Sequence, residues 1–354
     1  MAYQPNILLF GDQTETNLSI QALYNHANTS KRLLGYIDAA YEAANQALDQ
    51  QDVNPDVRAV YHFASWIELE KTIASQEVPD VVLRTTALCF AQLGHFIRLL
   101  ETDTHLHQAW VSQKLILAAS CAGQVPAALA ASTQSLDQFV LAAPELVSIA
   151  ARIGLEINRR ANSFNDDRTK SWATAVGTDL ESARSVVDGF NRSKDLSQSE
   201  GLYVGVTSAW ATTIIGSPRL HRDLFDSKPF AEGIKITPLP INAPFHAFNA
   251  PKPDLKWIIG TAPVLDLLAL TKTVFLSSED GVAFPPQTGA KLVCEAVLNM
   301  LSRMTDNSKV FSKVSDLLGQ QDGCIVPVVA DKGASRMVLD LKEKKVYLYT
   351  RLPN

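Results

Sequence analysis

At 354 residues, with 46% apolar and 19% charged side chains, the chain can bury one large core or a core carrying an inserted unit. Its formal charge of −5, without any Lys/Arg cluster, argues against a nucleic-acid surface, and no apolar run approaches the roughly 18 residues of a membrane span. Four cysteines, at 89, 121, 294 and 324 with no Cys-x-x-Cys pair, argue against a disulfide framework and against zinc, and fit a reducing, cytoplasmic setting.

Residues 6–10 form an apolar run read as a short strand, broken by the turn Gly11-Asp12-Gln13-Thr14. The five residues before it carry no basic stretch, so no secretory leader is expected. Leu33, Leu34, Ile37, Tyr41, Ala44 and Leu48 recur at three- and four-residue steps, the spacing of one helix face. Further helices are expected from residue 65 to just before Pro79 and over 81–100.

The next strand-like run, from Leu115, leads into Ala119-Ser120-Cys121-Ala122-Gly123, and an Ala-rich helical pattern follows at once to about Arg160. Small residues around one reactive side chain, between strand and helix, make a nucleophile elbow: the chain can turn sharply enough to lift that side chain off the sheet edge. The helix start aims its free N–H groups at the sulfur, which favours the thiolate. Ser is the commoner residue at such a corner. Cys suits thioester exchange, because the attacking and leaving atoms are then both sulfur. Cys89, Cys294 and Cys324 lie in apolar or loop contexts and read as structural.

The polar stretch 161–168 marks a boundary. Beyond it, strands at 172–176, 202–208, 212–215 and 234–239 and helices at 179–191 and 218–225 follow in β-α-β-β-α-β order, the ferredoxin-like pattern. The chain then returns through Ala243-Pro244-Phe245-His246 to a helix at 253–259, a strand at 273–276, a helix at 288–304 and a strand at 325–329. Strands alternating with helices on both sides of an insertion imply an α/β core.

Of the seven histidines, His246 is the candidate general base, because Pro244 and Phe245 stiffen and shield its approach. Backbone N–H groups of the Gly11-Asp12-Gln13 turn, with that of Ala122, could stabilise a tetrahedral oxyanion, each such donor being worth about 3–4 kcal/mol. These residues alone leave other readings open. One is a Cys-type α/β-hydrolase acting as thioesterase or lactonase, which wants an acid between nucleophile and His. Another is a non-catalytic scaffold domain.

Phe10-Gly11-Asp12-Gln13-Thr14, Ala119-Ser120-Cys121-Ala122-Gly123-Gln124 and Ala243-Pro244-Phe245-His246, in that order, resemble the malonyl-CoA:acyl carrier protein transacylase superfamily. The ordinary members have Phe-Pro-Gly-Gln-Gly and Gly-His-Ser-Leu-Gly-Glu at the first two places. Cys for Ser, together with a Phe-Gly-Asp-Gln opening, is similar to the starter-unit:acyl carrier protein transacylase (SAT) domain of fungal non-reducing polyketide synthases. The resemblance covers essentially the whole chain. It implies an α/β-hydrolase-like core with a parallel sheet, formed by residues 1–165 and 243–354, and an inserted ferredoxin-like (βαββαβ) small subdomain at 166–242.

The resemblance also implies roles. Cys121 would accept the acyl group as a thioester and His246 would move its proton. The amides of Gln13 and Ala122 would form the oxyanion hole, and a main-chain carbonyl near Asn299 would orient the His. Malonyl-specific relatives hold a carboxylate with an Arg in a Met-Arg-Gly context. Here Ala150-Ala151-Arg152-Ile153-Gly154 puts Ile153 before the Gly, so Ile153, Phe245 and Ser120 are expected to line an apolar pocket for an uncharged starter. No permanent cofactor and no metal are implied; substrates ride on CoA or 4'-phosphopantetheine. The implied partners are the acyl carrier protein domain of the same synthase and an acyl-CoA or donor carrier protein, with no nucleic acid and no membrane. Arg159, Arg160, Lys170 and Arg192 are candidates for carrier docking. Since no carrier motif precedes Asn354, the chain is expected to be a piece of a longer polypeptide.

Overall fold

The computed structural model describes residues 6–349 except 16, 50–60, 270, 330–331 and 342–345. Residues 1–5, on which the leader reading rests, and the C-terminal residues 350–354 lie outside the described set.

Five parallel strands form the first sheet, in the order β10-β9-β1-β2-β7: β1 Ile7–Phe10, β2 Ile116–Ala119, β7 Val274–Phe275, β9 Gly323–Pro327 and β10 Val346–Leu348. β1 is buried at every position, as a central parallel strand covered on both faces must be. Leu8 and Phe10 face the main core, while Ile7 and Leu9 face Val310, Phe311 and Val314 on the opposite side. Register pairs Phe10 with Ala119, so the Gly11 turn and the Cys121 corner leave the same sheet edge side by side.

The main core is built around the helix Val81–Thr102, apolar on nearly all sides and buried through most of its length. Asp80 caps its start, its carboxylate accepting from the N–H groups of Val82 and Leu83. The long helix Leu136–Asn162 crosses it closely at Gly154, where a Cβ would come within 2.7 Å of Val82 Cα.

The second sheet runs β6-β3-β5-β4-β8, from β3 Ala173–Val176, β4 Tyr203–Thr207, β5 Thr212–Ile215, β6 Ile236–Pro238 and β8 Thr305–Asp306. The first four strands pair antiparallel, and the helices Leu180–Ser193 and Pro218–Asp226 pack their apolar sides on one face. The N–H of Trp172 donates to Ile241 O at 2.7 Å, so the chain enters and leaves this segment at adjacent points.

Several elements differ from the sequence reading. The Ala-rich stretch is two helices, Gln124–Ser132 and Leu136–Asn162, because the Ser135 hydroxyl caps a fresh start by accepting from Gln138 N. The helix expected to reach residue 304 is Gly289–Ser302, and Thr305–Asp306 instead pair parallel with β4 as a fifth strand of the second sheet. Helices Ile20–Ala27, Thr104–Val111, Asn307–Leu318 and Lys332–Asp340 also go beyond the sequence reading.

Candidate active site

Cys121 opens a single 3₁₀ turn, Cys121–Gly123, with φ of 47°, a left-handed conformation that costs a non-glycine residue energy and turns its side chain off the strand. What holds the strain is packing. A Cβ on Gly123 would lie 2.4 Å from Gly11 O and 2.6 Å from Phe10 O, so only glycine lets the elbow press against the exit of β1. Gln92 steadies that exit by donating to Gly11 O at 2.9 Å.

His246, also at positive φ (55°), is moulded by the C-terminus of helix Gly289–Ser302. The last carbonyls of any helix lack intrahelical donors. Here His246 N takes Met300 O at 3.0 Å and Ala247 N takes Leu301 O at 2.9 Å. The ring Nδ1 lies 2.9 Å from both Asn299 O and Arg303 O, with the Thr305 hydroxyl at 3.4 Å. Two carbonyl acceptors require the proton on Nδ1, leaving Nε2 a bare lone pair. That nitrogen lies 3.2 Å from Cys121 Sγ, although the residues are 125 positions apart, so the thiol donates to it.

Burial pushes the Cys121 thiol well above its ordinary value, Asp12 adds to the rise, and the Ala122 N–H pulls the other way. Burial likewise pushes His246 below its ordinary value, opposed by the Arg303 and Asn299 carbonyls and by Asp12. Both shifts favour the uncharged forms, thiol and imidazole. The Ala122 N–H acts in the direction expected from the helix start, while the desolvation of the buried sulfur opposes the thiolate. An imidazolium at this position would sit at a helix C-terminus, whose partial negative charge favours it.

Behind the pair lies a buried polar frame. Gln124 donates to Ala119 O (2.8 Å) and Leu276 O (3.3 Å) and accepts from Asn299 Nδ2 (3.2 Å). Asn299 also donates to Ser277 Oγ and accepts from Arg303, which pairs with Glu295. Arg303, Thr305 and Gln124 escaped the sequence reading. Gln124 closes the elbow motif, and Arg303 follows the helix that presents Asn299, but only the folded contacts give either a role.

The pair opens on a cleft of about 470 Å³. Gln13, Ser120 and Phe245 line it together with Cys121 and His246, and Ala122 follows Cys121 in the same turn. Ile153 does not line it. That side chain is fully buried in the main core, on the helix held against Val82. Arg152 is equally remote in function, its guanidinium donating to Ile258 O, Ile259 O and Ser148 Oγ. Of the docking candidates, Arg159, Lys170 and Arg192 are exposed, whereas Arg160 is buried against Glu156 and cannot reach a partner. Among the described residues no cluster of His, Cys, Asp and Glu could hold a metal, and no helix is long and apolar enough to cross a membrane.

A five-stranded parallel sheet with Cys121 at its strand ends stands beside a second five-stranded sheet, antiparallel except at β8, and both contribute to the cleft at His246. The fold is similar to malonyl transacylase (MCAT) from Mycobacterium tuberculosis, with TM-score 0.61 and 14% identity over 98% of this chain and 96% of that one. It is also similar to the acyltransferase domain of the second module of the salinomycin polyketide synthase, with TM-score 0.56 and 14% identity over 98% of this chain and 68% of that one. Residues 8–246 match the family described as starter unit:ACP transacylase in aflatoxin biosynthesis, and the chain belongs to that family. Non-reducing polyketide synthases from Pseudevernia furfuracea (27% identity over 100% of this chain) and Cladonia grayi (28% over 91%) are among its relatives. The chain spans only 17% and 15% of their respective lengths. It is also 23% identical, over 85% of its length, to ascochitine biosynthesis cluster protein 8 from Didymella fabae, of which it covers 79%.

Proposed function

We propose that the chain loads an uncharged acyl starter from CoA or a donor carrier protein, through a Cys121 thioester, onto the phosphopantetheine of a polyketide synthase carrier domain. The observation that carries this reading is the 3.2 Å contact between Sγ and Nε2, with Nδ1 committed to two carbonyls. As Cys121 Sγ attacks the thioester carbon, its proton passes to Nε2. The amides of Gln13 and Ala122 take the oxyanion, and the donor's sulfur leaves with the proton from Nε2. The carrier's thiol then gives its proton to the same nitrogen, attacks the acyl-enzyme, and the Cys121 sulfur recovers the proton. Thioester replaces thioester, so the gain comes from orientation and proton transfer.

An uncharged cargo fits the wall of the cleft beyond Phe245, formed by Ile215, Leu239, Pro240 and Ile241. Intact-mass measurement after exposure to an acyl-CoA tests the acylation step: wild type should gain one acyl group and Cys121→Ala none. Transfer of that group to a holo-carrier protein tests the second step. Free acid in place of acyl-carrier would favour the hydrolase reading, and an unmodified wild type would favour the scaffold.

A further inference from the structure

The cleft has two unlike ends, and strand register fixes which is which. At one end Ile215, Leu239 and Ile241 lie near the base: Ile215 pairs with Tyr203, whose hydroxyl donates to Phe245 O at 2.7 Å. Four residues along the sheet, about 13 Å at roughly 3.3 Å per residue, the other end is formed by Gly177 and Lys235, with Trp210 in the turn between β4 and β5. Lys235, the residue just before β6, lines the cleft with Thr237, two residues on. Arg336 joins this end from helix Lys332–Asp340, its guanidinium 5.7 Å from the centre of the Trp210 ring, and Trp210 itself stacks on Phe311.

Lys235 and Arg336 are the cations lining the cleft among the described residues, and neither is paired with a carboxylate there. The acid that lines it, Asp12, accepts from the N–H and hydroxyl of Thr14. A guanidinium within cation–π reach of an indole still carries N–H donors that can take an oxyanion in bidentate fashion. We infer that Lys235 and Arg336 form a phosphate-binding lip for the ester at the far end of the pantetheine arm, while the acyl group takes the apolar end. The inference rests on the thioester reading above and adds the recognition of the carrier. CoA and a carrier's phosphopantetheine share this chemistry.

Binding decides it without requiring turnover. Calorimetric titration of the whole chain with CoA and with phosphate-free pantetheine should give a clear preference for CoA. Lys235→Ala and Arg336→Ala should each cut that preference about three- to fivefold, and the double variant about tenfold, less so as salt is raised. A preference unchanged in the double variant overturns the lip. So does equal weakening of both ligands, which would mark a general distortion of the cleft. With turnover, the KM of acyl-CoA relative to an acyl-N-acetylcysteamine thioester should rise in parallel. A matching rise in the KM of the holo-carrier shows that the lip reads the phosphate common to both, and a rise with CoA alone assigns it to the diphosphate. Failure of the function reading is separable: wild type would then bind CoA by its phosphates yet take no acyl group.

Discussion

Gln124 Oε1 accepts a hydrogen bond from Asn299 Nδ2 at 3.2 Å, linking the residue three places after Cys121 to the one whose carbonyl holds the His246 ring. Both side chains are fully buried and neither reaches the cleft. Asn299→Ala would keep the carbonyl but leave Gln124, Ser277 and Arg303 without their shared partner. Leaving buried polar groups unpaired costs about 1–3 kcal/mol. The urea midpoint should fall accordingly, and the rate of acyl-adduct formation should drop although the side chain touches no substrate.

Gly123→Ala should be far more damaging than its size suggests. The new methyl would meet two backbone carbonyls, at 2.4 and 2.6 Å, so β1 or the elbow must shift. Overpacking of this kind costs about 1–3 kcal/mol, and here it also displaces the sulfur. Gly35→Ala is the contrast. On the exposed side of helix Lys31–Leu48, with nothing within 4 Å of the added carbon, it should raise stability by about 0.5–1 kcal/mol. Thermal melts of the two variants, one lowered and one raised, check both.

The neutral dyad has a pH signature. Because burial holds His246 below its ordinary 6.5, the acid limb of the acylation rate should have its midpoint below that value. With the Cys121 thiol held high, difference absorbance near 240 nm between wild type and Cys121→Ala should show no thiolate at pH 8. His246→Ala should slow adduct formation about 10²–10⁴-fold, the usual weight of a positioned general base.

Stability should fall on mild acidification for a related reason. Burial lowers His95 and His221 from 6.5 to about 4, and His246 is lowered too. Between about pH 6.5 and 4 the unfolded chain binds protons that the folded chain refuses. Unfolding therefore takes up protons, and stability declines as pH drops through that window, by up to about 1.4 kcal/mol per pH unit for each histidine. Denaturant midpoints measured from pH 7.5 to 4.5 test it.

Much of this site was legible because its chemistry is local. A sharp corner needs small neighbours around its nucleophile, and Ala119, Ala122 and Gly123 advertise one. Long apolar patterns marked β1 and the helix Val81–Thr102 for the same reason. What sequence hid depends on pairing at a distance. The Arg303 carbonyl carries no side-chain signal, and Thr305–Asp306 are too short a strand to show a pattern. Ile153 was placed by aligning a motif, but helix packing at Gly154 turns it into the core.

Thr305 and Asp306, which follow the helix holding the base, are stitched to β4 at Val206 and Thr207, and Asp306 N is tied to Ser278 O at 2.8 Å. The two halves thus meet along a seam, not a free joint, and the spacing of sulfur and imidazole is gauged by chain crossing that seam on both sides of Arg303. Anyone reshaping the cargo range should carve the walls of the groove and leave its stitching alone.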